Sequence, residues 1–299
     1  MSKSEFVVVS NRLPVSVSKQ NGVLEYSTSS GGLATAMATL ELSGERIWVG
    51  WPGIAREDIT KDEEKEITKE LKKHGCVPVF LSKDEIALFY EGYSNDTLWP
   101  LFHYFQSFAT YNESYWRAYV AVNKAYLNAL KKHALTDARI WIHDYHLMLL
   151  PALTRKALPE TTIGFFLHIP FPSYEIFRLL PERKEILEGL LGSDLIGFHI
   201  YDYAGHFLNS CMRTLGIASS HGIMHYEGRS IKVDAFPIGI DFKKFRKTLN
   251  DPEVLAEVAA LKEHYKNQKI ILSVDRLDYS KGILQRLEAF NSLLEHNPE

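Results

Sequence analysis

Short apolar runs rich in β-branched residues recur along this chain, separated by helical patterns, and that alternation limits the fold more than any other feature. Phe6-Val7-Val8-Val9-Ser10, Ile47-Trp48-Val49-Gly50-Trp51 and Val77-Pro78-Val79-Phe80-Leu81 read as buried strands, as do Arg139-Ile140-Trp141-Ile142, the run from Thr162 to His168, and Leu195 to His199. Between them lie the Ala-rich Leu33 to Leu40, the charged Glu57 to His74, and Tyr115 to Lys132, whose apolar residues keep helical spacing. Glu182 to Leu191 and Ala204 to Leu215 complete the set. Buried strands joined by helices form parallel βα units, so the expected class is α/β with parallel sheets.

Near Pro237-Ile238-Gly239-Ile240-Asp241 the pattern changes, and a charged helix from Pro252 to Asn267 follows. This segment is the expected linker, dividing the chain into 1–240 and 241–299. Past it, Lys269 to Val274 reads as one more strand and Ile283 to Leu294 as its helix. One strand and one helix cannot bury their own apolar faces, so the second domain is expected to be truncated after them.

Charge and cysteine content narrow the partners. With 34 basic and 37 acidic residues the net charge is -3, too near balance for nucleic acid or an anionic membrane. A local cluster of cations for a small anion remains compatible with that balance. Cys76 and Cys211 are far apart and fit neither a metal nor a redox spacing, as expected of reduced thiols in a cytoplasmic protein. The first residues run straight into a strand too short for a signal-peptide core, and no apolar run reaches bilayer length.

Polar residues collect where strands end. The stretch Trp141 to Leu150 carries His143, Asp144, Tyr145 and His146 between two apolar segments. It reads either as a ligand crevice past a strand's carboxyl end or as a turn whose polar groups satisfy one another. Asp144 and His168 each follow a strand, as do Asn11-Arg12 and Gly31-Gly32, the latter opening a helix. Glycines there let a backbone approach a ligand, and helix N–H groups attract an anion, but no G-x-G-x-x-G fingerprint supports a dinucleotide. Arg276 and Lys281 flank a loop that closes on Gly282; two cations there suit a diphosphate, or else a solvated pair bridged to Asp275 or Asp278. Tyr90 and Trp99 stand in an aromatic-rich stretch, where rings with one polar tip often flank sugars or phosphates. His143, Asp144 and His146 lack a recognised metal-ligand pattern, and neither a serine nucleophile elbow nor a P-loop occurs. These residues alone imply a small anionic ligand without naming it.

Taken together, several ordered motifs resemble the trehalose-6-phosphate synthase family, retaining glycosyltransferases of family 20. They are Ser10-Asn11-Arg12-Leu13-Pro14, Gly31-Gly32-Leu33, Trp48-Val49-Gly50-Trp51-Pro52-Gly53, Tyr90 with Ser94-Asn95 and Leu98-Trp99-Pro100, and Trp141 to Leu147. Gly164 to Pro172, Phe236 to Asp241 and Val274 to Gly282 extend the resemblance almost to the last residue. It implies a GT-B fold of two Rossmann-like domains, acceptor-binding over 1–240 and nucleotide-sugar-binding from 241 on, with the active site between them. It implies transfer of glucose from UDP-glucose to glucose 6-phosphate, giving α,α-trehalose 6-phosphate and UDP without a cofactor or metal. By the same resemblance Arg12, Tyr90 and Trp99 hold the acceptor's phosphate, Asp144 holds acceptor hydroxyls, and Trp51 is a pocket residue. Gly31-Gly32 and His168 meet the donor, Arg276 and Lys281 grip its diphosphate, and Asp144, His168, Arg276 and Lys281 form the catalytic set. A homo-oligomer or a trehalose-synthase complex is compatible with it. A chain ending at Glu299 would lack further donor-binding groups and have little activity alone. Two other readings stay open: a non-catalytic sugar-phosphate-binding regulatory subunit, and a sister transferase using glycerol 3-phosphate.

Overall fold

The computed structural model describes residues 3–29, 46–266 and 268–297. Gly31, Gly32 and the expected helix from Leu33 to Leu40 lie outside the described residues. The chain divides into two compact units, Met1–Ile238 and Gly239–Glu299.

The first unit is built on one nine-stranded sheet in the order β5-β4-β1-β6-β7-β8-β11-β10-β9. Its parallel strands are β1 (Ser4–Arg12), β4 (Arg46–Trp51), β5 (Cys76–Pro78), β6 (Ala134–His143), β7 (Thr162–Phe166), β8 (Leu195–Phe198) and β11 (Arg229–Ala235). Counting only these, the chain works outward from β1 to β5 on one side and from β6 to β11 on the other. The direction of winding therefore reverses between β1 and β6. That reversal is the place where crossover helices diverge and an open sheet leaves a crevice at its strands' carboxyl ends.

Successive residues of a strand face opposite sides, and the core follows that period of two. Val7, Val9, Ile47, Val49, Ile140 and Ile142 point to one face, where the long helix Glu113–His133 covers them with Tyr119, Val122, Tyr126 and Leu130. Val8, Trp48 and Cys76 point to the other, under Ile67 and Leu71 of the helix Lys61–Lys73. That helix begins later than the charge pattern suggests because Thr60 caps it. The Thr60 hydroxyl accepts from Glu63 N–H at 3.2 Å while Glu63 accepts from Thr60 N–H at 2.7 Å. The five-residue run at Val77 forms strand only as far as Pro78, although Val79 N–H still donates to Gly50 O at 2.8 Å, and the proline is tolerated because β5 is the edge of the sheet. Leu81 keeps a single bridge to Ala55.

Other elements depart from a purely parallel reading. A two-stranded hairpin, β2 (Val15–Gln20) with β3 (Val23–Thr28), turns at Asn21-Gly22, where φ is 49° and 82°. Similar left-handed pairs at His221-Gly222 and Glu227-Gly228 join β9 (Ser219–Ser220), β10 (Ile223–Tyr226) and β11 into an antiparallel edge. Where the sequence shows only crowded aromatics, Ile86–Leu98 forms a π-helix, the backbone widened so that Trp99 N–H reaches Ser94 O five residues back.

At the opposite end of the sheet from the crevice, Asp194 organises the loop leading into β8. It accepts from Arg155 Nη2 at 2.6 Å and from Ile163 N–H at 2.7 Å, while Arg229 Nη2 donates to Leu191 O at 2.6 Å. The loop packs so closely on the helix Leu150–Ala157 that a Cβ on Gly192 would stand 2.2 Å from Ala152 N.

The second unit contains helices Phe242–Thr248, Pro252–His264 and Ile283–His296. Its expected strand, Lys269 to Val274, forms no ladder, and Ile270, Ile271, Leu272 and Val274 are 62–83% exposed. A strand is defined by its neighbour, and this unit's described residues offer none. Among the described residues no helix is long and apolar enough to cross a membrane.

Gly192→Ala is expected to destabilise the first unit by about 2–3 kcal/mol, because a backbone atom rather than a flexible side chain blocks the new methyl. Urea unfolding followed by tryptophan fluorescence measures it, and an unchanged midpoint would contradict the packing described.

Candidate active site

The crevice at the β1–β6 reversal is lined first by the residues that end those strands. Val9 pairs with Ile142, so Asn11-Arg12 and His143-Asp144 leave the sheet side by side. The β1 exit is pinned from three directions. Ser10 Oγ donates to Arg12 O at 2.7 Å and accepts from Trp48 Nε1 at 2.7 Å; Tyr126 Oη donates to Asn11 O at 2.7 Å. Arg12 is exposed, and its guanidinium carbon stands 4.5 Å from the centre of the Trp51 ring, a cation–π arrangement. Gly53 lies beneath the same group with φ +98°, and a Cβ there would stand 2.9 Å from Arg12 Nη1. Both its conformation and its proximity thus require glycine.

From Trp51 a line of rings continues along the crevice. Tyr90, carried by the π-helix, lies 5.9 Å from Trp51 and stacks on His146 at 5.7 Å with 15° between planes. His146 adjoins Tyr145 at 3.9 Å, and Tyr145 adjoins Trp99 at 5.8 Å. Tyr145 Oη donates to Asn95 Oδ1 at 3.0 Å, tying the π-helix to the segment after β6. Four sequence-nominated residues (Arg12, Tyr90, Trp99 and Asp144) therefore belong to one continuous wall, with Trp51 buried inside it.

Asp144 has the least ordinary backbone of the site. Its φ of 75° and ψ of 168° fall in a region almost confined to glycine, at a cost of about 1–3 kcal/mol. The surroundings enforce it: Asp144 N–H donates to Phe166 O at 2.8 Å, and its Oδ1 accepts from His168 N–H at 3.1 Å. Burial pushes the Asp144 carboxyl up to about 7, against the opposing pull of the Tyr145 and His168 N–H donors. Strain and desolvation at a single side chain mark a functional position.

Histidines line the crevice further along. His143 Nδ1 is 3.0 Å from His168 Nε2, and the His199 ring packs edge-on to His168 with 5.8 Å between centroids. Desolvation lowers all of them: His168 and His146 to about 3, His143 well below its ordinary value, and His199 downward as well. They are neutral at physiological pH. Among the described residues no group of three His, Cys, Asp or Glu is placed to hold a metal ion.

Arg276 and Lys281 belong to the second unit. Arg276 follows the unpaired extended segment, and Lys281 ends the 3-10 turn Tyr279–Lys281 before Gly282, whose φ is 61°. Asp278 caps that turn by accepting from Ser280 N–H at 2.8 Å. Ser10, Gly53 and His199 support the site and were given no role from sequence, while His143 was read only as part of a crevice or a self-satisfied turn. The two histidines carried a usable signal, since each ends an apolar run as His168 does.

A mostly parallel, Rossmann-like sheet with polar and aromatic side chains gathered at its winding reversal is the plan of a GT-B glycosyltransferase domain. The chain belongs to glycosyltransferase family 20, which it matches over residues 4–299. It is 47% identical to a Candida albicans alpha,alpha-trehalose-phosphate synthase [UDP-forming] in an alignment 307 residues long that covers 100% of this chain and 63% of that protein. The solved Escherichia coli structure described as trehalose-6-phosphate bound with UDP-2-fluoro glucose superposes with TM-score 0.82 at 33% identity, covering 99% of this chain and 62% of its own. A Burkholderia xenovorans synthase in complex with glucose-6-phosphate gives TM-score 0.81 at 29% identity, covering 99% and 63%. The chain thus spans under two thirds of the length of these relatives.

The raised Asp144 carboxyl makes a pH prediction. A group whose folded pKa lies above its ordinary 3.8 binds a proton more readily when folded, so its contribution to stability falls as pH rises from about 4 to about 7. Unfolding free energies of wild type minus Asp144→Asn should fall across that window and level off above it. A flat difference would show that the carboxylate is not desolvated.

Proposed function

We propose that the protein carrying this chain transfers glucose from UDP-glucose to glucose 6-phosphate with retention, releasing UDP and α,α-trehalose 6-phosphate. The observation that carries this reading is the single wall at the β1–β6 reversal, which unites a guanidinium over Trp51, a line of aromatic rings and a strained aspartate. The relatives named above, among them proteins bound to UDP-2-fluoro glucose and to glucose-6-phosphate, give it its substrates.

In this reading Arg12 meets the acceptor phosphate, its charge held in place by Trp51 and Gly53, with Tyr90 and Trp99 flanking. Asp144 orients acceptor hydroxyls through lone pairs not already taken by the Tyr145 and His168 N–H groups. His168 contacts the donor sugar, and Gly31-Gly32 lie against the donor. Arg276 and Lys281 stabilise charge on the departing diphosphate. The bond from the anomeric carbon to the diphosphate oxygen breaks as the new glycosidic bond forms on the same face, and the leaving phosphate takes the acceptor hydroxyl's proton. Residues 1–240 then serve the acceptor and the second domain the nucleotide sugar. The setting is the cytoplasm.

The test joins this chain to the second-domain remainder that the longer relatives carry and measures UDP release with UDP-glucose and a panel of phosphorylated acceptors. Glucose 6-phosphate should be preferred; preference for glycerol 3-phosphate, or acceptor binding without any UDP release, would overturn the reading. Arg12→Ala should raise the KM for glucose 6-phosphate by roughly a hundredfold, the worth of a charge-assisted contact of about 3 kcal/mol, with UDP affinity unchanged. Asp144→Ala should abolish transfer while far-UV circular dichroism stays native; near-normal turnover would refute its role.

A further inference from the structure

His143 closes β6 immediately before Asp144 and is 1% exposed. Its Nδ1 lies 3.0 Å from His168 Nε2, so the two imidazoles share one hydrogen bond that only one of them can donate. We propose that His143 donates it, and is thereby a positioning residue that holds His168 in its Nδ1–H tautomer, with that N–H available to a hydroxyl of the transferred sugar. The sugar contact rests on the function proposed above; the assignment of the proton does not.

The unpartnered atom of the pair decides the direction. His143 Nε2 is buried and has no hydrogen-bond partner among the described residues. Were His168 the donor, neutral His143 would have to carry its own proton on that Nε2, leaving an N–H buried without an acceptor. With the proton on Nδ1, Nε2 is only a bare lone pair. Buried donors left unpaired are rarer in folded proteins than buried acceptors left unpaired, so the first arrangement is disfavoured. A doubly protonated pair is disfavoured too, because burial holds both rings in the neutral form.

The rest of the neighbourhood prevents His168 from turning away. Its main-chain N–H donates to Asp144 Oδ1 at 3.1 Å, and the His199 ring packs edge-on to its own at 5.8 Å. The rings of Phe166 and His143 stand 4.7 and 5.2 Å from its own, measured between centroids. His143 Nδ1 therefore sets which nitrogen of His168 carries the proton, and Nδ1 of His168 is left as the ring nitrogen with no partner among the described residues. A neutral histidine lacking such a partner favours Nε2–H, so this pairing imposes the less common tautomer.

Two-bond nitrogen–proton correlation spectra of the 15N-histidine-labelled chain at pH 7 read the tautomers without requiring activity. The expected pattern is Nδ1–H on both His143 and His168; Nε2–H on His143 would overturn the proposal. His143→Asn keeps an amide donor near the position of Nδ1 and should leave His168 as Nδ1–H, whereas His143→Phe should release it toward Nε2–H. An unchanged His168 in the phenylalanine variant would show that His143 does not set it. In the extended protein, His143→Phe should lower kcat roughly tenfold to a hundredfold with the KM for glucose 6-phosphate unchanged, and His143→Asn should restore it. A phenylalanine variant with wild-type kcat would refute the positioning role. Absence of transfer by the wild type would instead count against the proposed reaction, and the spectra would still decide the proton.

Discussion

The reversal of winding between β1 and β6 is the constraint on which the rest of the first unit depends. Parallel strands require crossovers, and at one point in such a sheet the crossovers leave in opposite directions. An open sheet leaves a crevice beyond such a pair of strands, so whatever ends them faces it. Here the endings are an arginine on one side and a histidine–aspartate pair on the other. Trp51 ends the neighbouring β4, and other parts of the wall come from outside the sheet: the π-helix brings Tyr90 and Asn95, the turn after β4 brings Gly53, and the loops after β7 and β8 bring His168 and His199. The chemistry occupies space that the topology leaves open.

How the site is held illustrates a division of labour between rigid and reactive parts. Hydrogen bonds that fix Arg12 run mostly through the main chain, from Ser10 and Tyr126, so the guanidinium itself stays exposed. Asp144 is the reverse case, with a strained backbone and a side chain engaged by main-chain donors. Its strain is borne by β7, whose Phe166 carbonyl takes the Asp144 N–H and extends the ladder one residue past the strand. The cluster of neutral histidines adds hydrogen-bonding capacity to the crevice without adding charge.

Much of this was legible in the sequence, and the gaps have physical causes. Buried parallel strands advertise themselves as short apolar runs, so six of the seven were placed directly, and the seventh, β11, whose apolar residues alternate with charged ones, was not. The hairpin at Asn21-Gly22 carried its own signal, an Asn-Gly pair between alternating residues, and was overlooked because the surrounding strands are half exposed. The π-helix had no signal at all, for i→i+5 bonding has no distinct periodicity in residue type. Lys269 to Val274 read strongly as a strand because propensity describes a surface suited to a partner, not the partner itself. Among site residues, Arg12, Tyr90, Trp99 and Asp144 were nominated by type and position. Gly53 and Ser10 act only through Arg12, and nothing short of three-dimensional placement distinguishes them from ordinary turn residues.

That unladdered segment has a practical meaning for anyone handling this polypeptide. Ile270, Ile271, Leu272 and Val274 form a short β-prone stretch free of proline, with its hydrogen-bonding edge unclaimed by any described strand. Such a stretch recruits whatever edge it meets first, including the same stretch of another molecule. Self-association of the polypeptide through Lys269 to Val274 would therefore rise with its concentration.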